Sequence, residues 1–149
     1  MSIKETIYNK CKVQIQEKLD SIKQRLDDIA ESQAAETKSS AGDKYETGRA
    51  MLHLEKDKIM LQLASVINSK KILQSINTQK KYTKAQLGAL VYTSQFNYFL
   101  GVSIGKVNIE NEIFYCISTS SPIGNLLLQK EKGDSINFRD KTIEVQTVL

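Results

Sequence analysis

The chain has 149 residues, of which 40% are hydrophobic and 26% are charged, a composition typical of a globular protein rather than of a disordered tail. Its formal net charge of +4 is too small to indicate nucleic-acid binding by itself. No apolar run approaches the roughly 20 residues of a membrane-spanning helix, and the polar residues 1–12 lack the apolar core of a signal peptide. We therefore expect a cytoplasmic protein without a membrane partner.

The first predicted element is a long helix. Residues 1–41 contain neither glycine nor proline, which permits one continuous helix. Apolar residues recur here at intervals that average about 3.7 residues, close to the helical period. They form a narrow stripe among charged residues, a pattern typical of a helix that packs against one partner helix. The stripe consists of Ile3, Ile7, Cys11, Ile15, Leu19, Ile22, Leu26 and Ile29.

A second helix follows a short polar segment. Residues 32–43 lose the stripe and gain small residues. Two stripes joined in this way predict an antiparallel helical hairpin, or coiled coil, over residues 1–76 with its tip near 32–46. Each arm of ~30 residues would be about 45–50 Å long. The second stripe has a spacing of seven at Leu52, Ile59, Val66 and Leu73, with Met60, Leu63, Ile67 and Ile76 assigned to the same face.

The composition changes after residue 76. Residues 77–87 are polar and are interpreted as a linker, whereas β-branched and aromatic residues dominate 88–149. One short helix is predicted there, because Ser121 is a favourable N-cap and Pro122 suits the first helical position. The chain is therefore predicted to be α+β, a hairpin followed by a small, mostly antiparallel sheet. Turn-like stretches, including GKVNIEN at 105–111, separate candidate strands at 89–93, 96–104, 112–118, 135–139 and 142–148.

Cys11 and the aromatic residues of the C-terminal part are interpreted as residues of the protein core rather than of a functional site. Cys11 and Cys116 are far apart in the sequence without a second ligand residue nearby, which predicts neither a disulfide framework nor a zinc site. Cys11, on the helical stripe, is interpreted as a small buried apolar group. The aromatic residues of the C-terminal part are expected to pack in the sheet core rather than to form a binding face. They are Tyr92, Phe96, Tyr98, Phe99, Phe114, Tyr115 and Phe138.

Two stretches resemble motifs of the bacterial Gre transcript-cleavage factor family. Residues 42–46, Gly-Asp-Lys-Tyr-Glu, are similar to the family's G-D-x-x-E. Residues 121–134, SPIGNLLLQKEKGD, resemble the family's S-P-I-A-x-x-L-x-G-K-x-x-G-D with the spacing kept. The resemblance covers nearly the whole chain and indicates a divergent branch. After the first motif the family usually continues N-A-E-Y, whereas this chain has Thr47, Gly48, Arg49 and Ala50, so that a cation occupies a position that is acidic in the family.

The resemblance implies a fold, a partner and a role for particular residues. The C-terminal domain would be FKBP-like, and the partner would be RNA polymerase, with nascent RNA contacted only indirectly. Asp43 and Glu46 would be the catalytic carboxylates, holding a second Mg2+ ion in the polymerase active centre and orienting the attacking water. The protein would be an accessory factor rather than an enzyme, with no cofactor of its own and no small-molecule substrate. Ser121, Pro122 and Ile123 would belong to the domain that docks on the polymerase.

Other interpretations of these residues stay open. Asp43 and Glu46 also fit a capping box at the start of the second helix, a structural role worth roughly 1 kcal/mol. Arg49 favours a relative that occupies the polymerase channel and regulates transcription without cleavage. A coiled-coil adaptor with no polymerase role is a third hypothesis. The sequence has no Gly-rich phosphate loop, metal-ligand cluster or nucleophile elbow, which argues against an independent enzyme.

Overall fold

The computed structural model describes the backbone of residues 1–37 and 42–149, and the side chains of residues 1–35 and 46–149. The chain divides into two compact units, one that combines Met1–Gln14 with Lys71–Leu149 and one that consists of Ile15–Lys70. Two long helices precede a six-stranded sheet, which confirms the predicted α+β class. No helix in the described parts of the chain has both the length and the apolar character that crossing a bilayer requires.

Both long helices are present. Helix α1 spans Ile3–Thr37 and helix α2 spans Gly42–Gln74. In the unit Ile15–Lys70 they run antiparallel. Arg25 Nη1 on α1 donates a hydrogen bond to Gln62 Oε1 on α2 at 2.9 Å. Ile29, which comes after Arg25 on α1, lines a cleft together with Leu52, which comes before Gln62 on α2. Residue numbers therefore rise along one helix where they fall along the other.

Isoleucines at helical spacing build the core of the unit Ile15–Lys70. Ile22, Ile29 and Ile59 are buried together, and half-buried leucine and valine side chains pack against them. Met60 and Ile67 were predicted to lie on the same face of α2 as its apolar stripe, and this prediction is wrong, because their side chains are 45% and 40% exposed. Each follows a core-facing residue by one position and is therefore rotated by about 100° around the helix axis.

The sheet is mixed, with a single parallel pairing. Its strand order is β3-β4-β2-β1-β6-β5, and every neighbouring pair is antiparallel except β2 and β4. A short helix, α3, spans Pro122–Leu127 between β4 and β5, as predicted. The strands are β1 Leu90–Thr93, β2 Asn97–Gly101, β3 Gly105–Ile109, β4 Glu112–Ser118, β5 Ser135–Phe138 and β6 Lys141–Val148.

The structure corrects the prediction at residues 105–111. This stretch, interpreted as a turn, forms strand β3 and the tight connection to β4. Val107 and Ile109 are buried while Lys106 and Asn108 are exposed, the alternation of a strand with one covered face. The strand begins with a glycine and has only two inward positions, so its apolar content is too low to mark it as a strand from sequence.

Aromatic and aliphatic side chains of the central strands fill the core of the unit that contains the sheet. Phe99 and Phe114 are completely buried and Tyr98 nearly so, which confirms the core interpretation for these three residues. Phe96 does not fit the core interpretation, because its side chain is 44% exposed. Its ring packs edge-on against the ring of Tyr115, with 5.2 Å between the two ring centres.

Residues 77–87, interpreted as a linker, make backbone contacts within the same unit as the sheet. Lys84 forms an isolated antiparallel bridge with Glu131. The backbone of Ala85 exchanges two hydrogen bonds with the segment after α3, accepting one from Gln129 N at 2.7 Å and donating one to Lys130 O at 2.9 Å. Ala85 is fully buried in the core cluster.

Candidate functional site

The two carboxylates implicated by the family resemblance occupy the first turns of α2. The helix begins at Gly42, so positions 43 and 46 both lie within it, and a spacing of three places them on one side of the helix. Glu46 is exposed. The side chain of Asp43 and the whole of residues 38–41 lie outside the described residues, and the capping interpretation, which depends on the Asp43 side chain, stays a prediction.

The residues that follow Glu46 give this end of α2 a mixed charge. Thr47 and Arg49 are exposed, and Gly48 is half-buried. Arg49 lies three positions after Glu46 and therefore one helical turn away on a neighbouring part of the surface. A carboxylate pair at this point would thus act next to a guanidinium group, which lowers the local negative charge that attracts a divalent cation.

An open, charged cleft lies between the two helices of the unit Ile15–Lys70. Its volume is about 150 Å³, and three of its six lining side chains are ionisable: Arg25, Asp28 and Glu55. Ile29 and Leu52 provide its apolar part. The cleft depends on how the two helices pack, which the periodicity of the sequence does not specify.

Ser121 caps helix α3 and is fully engaged in local hydrogen bonds. Its Oγ accepts a hydrogen bond from Gly124 N at 3.2 Å and donates one to Ser118 O at 2.6 Å. Pro122 follows at the first turn of the helix and is exposed, and the half-buried Ile123 packs against the sheet core. Of the three residues predicted to contact a partner, Pro122 therefore offers the most accessible surface.

Gly124 lies unusually close to the end of strand β4. A Cβ atom built at this position would lie 2.1 Å from Ser118 O and 2.8 Å from Ser121 Oγ, far inside van der Waals contact. The family pattern has alanine here, so α3 of this chain approaches the preceding strand more closely than an alanine would allow. This departure is local and leaves the cap itself intact.

The second half of the motif forms a turn stabilised by main-chain contacts. Gln129, where the family pattern has glycine, adopts a φ of +67°, and Gly133 a φ of +94°. Asp134 Oδ2 accepts a hydrogen bond from Glu131 N at 2.8 Å, and the Asp134 carbonyl accepts one from Val145 N at 2.8 Å. The G-D pair of the motif thus ties the segment after α3 to strand β6.

A divalent cation, which the resemblance implies for the carboxylates, needs oxygen ligands, and Asp and Glu provide suitable ones. Two carboxylates do not complete the six-fold shell that Mg2+ prefers, so other ligands would have to come from water and a partner. Within the part of the chain whose side chains are described, no group of three or more potential ligand residues is found.

The two cysteines, which are far apart in the sequence, lie together in the fold. Cys11 Sγ and Cys116 Sγ are 3.6 Å apart, and both thiols are free and buried. The hydrogen bond between the two sulfur atoms lowers the pKa of Cys11 below its ordinary value and outweighs the effect of burial. The same hydrogen bond, together with burial, raises the pKa of Cys116. Each cysteine is at an inward position of its own element, but no sequence pattern indicates that the two positions meet.

Lys4 is a second group whose surroundings were not predicted. Its Nζ donates hydrogen bonds to Lys80 O and Leu149 O, both at 3.0 Å, and lies 5.0 Å from the centre of the Tyr82 ring. Burial lowers the pKa of Lys4 below its ordinary value. This contact joins the first turn of α1 to two distant segments of the same unit.

Comparisons with known proteins add a structural likeness. No protein-family model and no curated protein sequence matches this chain. Among solved structures, the crystal structure of the GreA factor homolog 1 (Gfh1) protein of Thermus thermophilus is similar to it. The match covers 91% of this chain and 92% of that chain, with 17% sequence identity and a TM-score of 0.36. At this level of similarity, no residue role is transferred from that protein to this chain.

Proposed function

We propose that this protein is a Gre-like transcription elongation factor that binds RNA polymerase and stimulates the cleavage of backtracked RNA. The observation that carries the proposal is the pair of motifs in their structural order. A G-D-x-x-E sequence opens the second of two long helices, and an S-P-I…K-x-x-G-D sequence forms a capped helix and turn in the sheet-containing unit.

In this proposal Asp43 and Glu46 act inside the polymerase active centre. Both provide hard oxygen donors on one side of α2, suited to holding a Mg2+ ion and to orienting a water molecule towards the RNA phosphate. When bound, such an ion would stabilise the charge that develops during hydrolysis. The polymerase would supply the RNA and the remaining ligands, so the chain would be an accessory factor.

Docking is assigned to the region of α3. The hydroxyl of Ser121 is occupied by its two local hydrogen bonds, so Ser121 would act by shaping the helix start. The exposed Pro122, with the neighbouring Leu126 at 37% exposure, would supply apolar contact area. Substitution Pro122→Asp should weaken polymerase binding, whereas Asn125→Asp, on the same short helix, serves as the matched control.

A cleavage assay on a stalled elongation complex tests the catalytic part. The wild-type protein should release short 3′ RNA fragments, and Asp43→Asn or Glu46→Gln should abolish the release while binding persists. The matched control is Asp57→Asn, an exposed position further along α2, which should cleave like the wild type. Undiminished cleavage by both tip variants would remove Asp43 and Glu46 from the mechanism.

A second candidate function is supported by Arg49. A cation one turn from Glu46 suits a regulator that occupies the polymerase channel without promoting cleavage. This alternative predicts polymerase binding and altered transcription with no RNA fragments, together with a gain of cleavage in Arg49→Glu. A pull-down that contains no polymerase subunit would instead favour the adaptor hypothesis.

A further inference from the structure

We propose that Cys11 and Cys116 form a redox-active dithiol site, in which a peroxide converts the two thiols into an intramolecular disulfide that fixes the first helix to the sheet. The site belongs entirely to the unit formed by Met1–Gln14 and Lys71–Leu149. It is independent of the proposed action on RNA polymerase, because neither cysteine is part of either motif.

The geometry brings the two sulfur atoms close to bonding distance. They are 3.6 Å apart, and a disulfide bond is about 2.05 Å long, so the atoms must approach by about 1.5 Å. Rotation of the side chains about χ1, together with any small movement of α1, would have to supply this approach. The two residues are 105 positions apart in the chain, so the proximity arises from the fold.

The surroundings favour this pairing over other cysteine chemistry. Cys11 is 0% and Cys116 is 1% exposed, and strands on both sides hold Cys116, whose register partners are Phe99 and Gly105. A buried thiol has little access to a second protein molecule, so its neighbouring thiol is the partner that it meets first. Among the residues with described side chains, no further metal-ligating group joins the pair.

The two thiols have unequal roles. A hydrogen bond with Cys116 lowers the pKa of Cys11 and so favours the Cys11 thiolate, and a resolving thiol beside a thiolate is one feature of redox sensors. Both thiols are buried, so the small peroxide reaches them when this part of α1 separates locally from the sheet. The Cys11 thiolate attacks one oxygen of the peroxide, the O–O bond breaks, and a sulfenic acid forms on Cys11; the hydroxide that leaves takes up the proton that Cys11 had released and becomes water. The Cys116 thiol then attacks that sulfur, the S–O bond breaks as the S–S bond forms, and the hydroxyl group leaves with the Cys116 proton as a second water. Two electrons pass from the sulfur atoms to one peroxide, and an external dithiol reverses the change by disulfide exchange.

Oxidation would tie α1 to the sheet by a covalent bond. The bond would close a loop of more than a hundred residues, which restricts the unfolded chain strongly. The oxidised protein should therefore unfold at a temperature higher by at least about 5 °C. Amide exchange in residues 3–14 should slow as well, because local separation of this part of α1 from the sheet is blocked.

The experiment uses the full chain, reduced and then treated with hydrogen peroxide, with thiols counted by alkylation after denaturation. Two free thiols should fall to none, and digestion with a glutamate-specific protease should yield peptide 6–17 linked to peptide 113–131. The product should remain monomeric, and dithiothreitol should restore both thiols and the original Tm.

The matched controls are Cys11→Ser and Cys116→Ser, which should gain neither the linked peptide nor the rise in Tm. Three results would overturn the proposal: thiols that persist where a small thiol is consumed, separate sulfinic acids on the two residues, or disulfides between chains. The peptide map of the wild-type protein decides the matter even if a serine variant does not fold.

Discussion

Gly124 is a residue at which the structure leaves no room for a side chain. Substitution Gly124→Ala should lower the free energy of unfolding by about 2 kcal/mol, because the new Cβ would collide with the main-chain oxygen of Ser118, 2.1 Å away. Urea denaturation measures the loss. Asn125→Ala, at the exposed next position of the same helix, should change stability by less than about 0.5 kcal/mol. Equal stability of the two variants would contradict the close approach.

The Lys4 ammonium links stability to pH. Because the folded-state pKa of Lys4 is below the ordinary 10.5, the folded protein releases this proton at a pH where the unfolded chain still holds it. Between those two pKa values the unfolded state binds more protons, so this group makes the free energy of unfolding rise with pH. Tyr92 and Tyr98, whose pKa values burial raises, act in the opposite direction above pH 10.

The Lys4 contribution is measured as a difference between two proteins. Urea denaturation of the wild type and of Lys4→Met at several alkaline pH values should show a more positive slope of stability against pH in the wild type. Both proteins keep the two tyrosines, so the tyrosine contributions cancel. Identical slopes would mean that Lys4 titrates as a solvated side chain despite its contacts with Lys80 O and Leu149 O.

Single residues were predictable from sequence where the chemistry is local. The cap at Ser121 followed by Pro122 involves residues within a few positions of each other, and the structure has it as predicted. The pairing of Cys11 with Cys116 spans 105 positions, and no pattern within either segment depends on the other. Distant contacts of this kind are set by the packing of whole elements.

At the scale of elements, two hairpins turn through residues that are not glycine. Glu110 and Asn111 have φ values of +51° and +67°, and Arg139 and Asp140 have +51° and +63°. Each pair lies between the last register partners of two antiparallel strands, the arrangement of a type I′ turn. Because Asn-Gly is the usual signal for such a turn, the sequences Glu-Asn and Arg-Asp do not stand out, and β3 was missed partly for this reason.

Replacing one of these turns tests the strain that the positive φ values imply. The double substitution Glu110→Asn and Asn111→Gly should raise the free energy of unfolding by about 1 kcal/mol, because both new residues tolerate this conformation better. Asn108→Gly, on the exposed face of β3, should instead lower it by about 1 kcal/mol. Thermal unfolding of the three proteins measures both effects. A loss of stability in the double variant would exclude the type I′ geometry.

The α-helical elements were the most predictable because their apolar stripes are long. The repeat in residues 3–29 and the seven-residue spacing on α2 recur over several turns, and both helices are present. The width of the buried face was predicted less well, because Met60 and Ile67 lie beside the buried stripe of α2 rather than in it. Periodicity identifies a helix more securely than it identifies the edges of the helix's buried face.

At the scale of the whole molecule, the two units differ in how much apolar surface they bury. The unit Ile15–Lys70 has a core cluster of three buried isoleucines, whereas the sheet-containing unit has a cluster of nine buried residues in addition to the completely buried Phe99 and Phe114. Local stability follows buried apolar contact. Amide protons of the helical unit should therefore exchange faster than those of the strands.

Hydrogen exchange of two core variants extends this prediction. Ile59→Ala removes the most buried side chain of the helical core and should accelerate exchange in residues 15–37 and 46–70 by more than tenfold, since such a truncation costs about 2–5 kcal/mol. Exchange in β1 and β6 should change much less. Val145→Ala, in the core of the sheet-containing unit, should give the reverse pattern. Equal acceleration throughout the chain in both variants would contradict this prediction, because the two units would then unfold as one cooperative structure. The cluster of Ile22, Ile29 and Ile59 would in that case not determine the stability of the helices by itself.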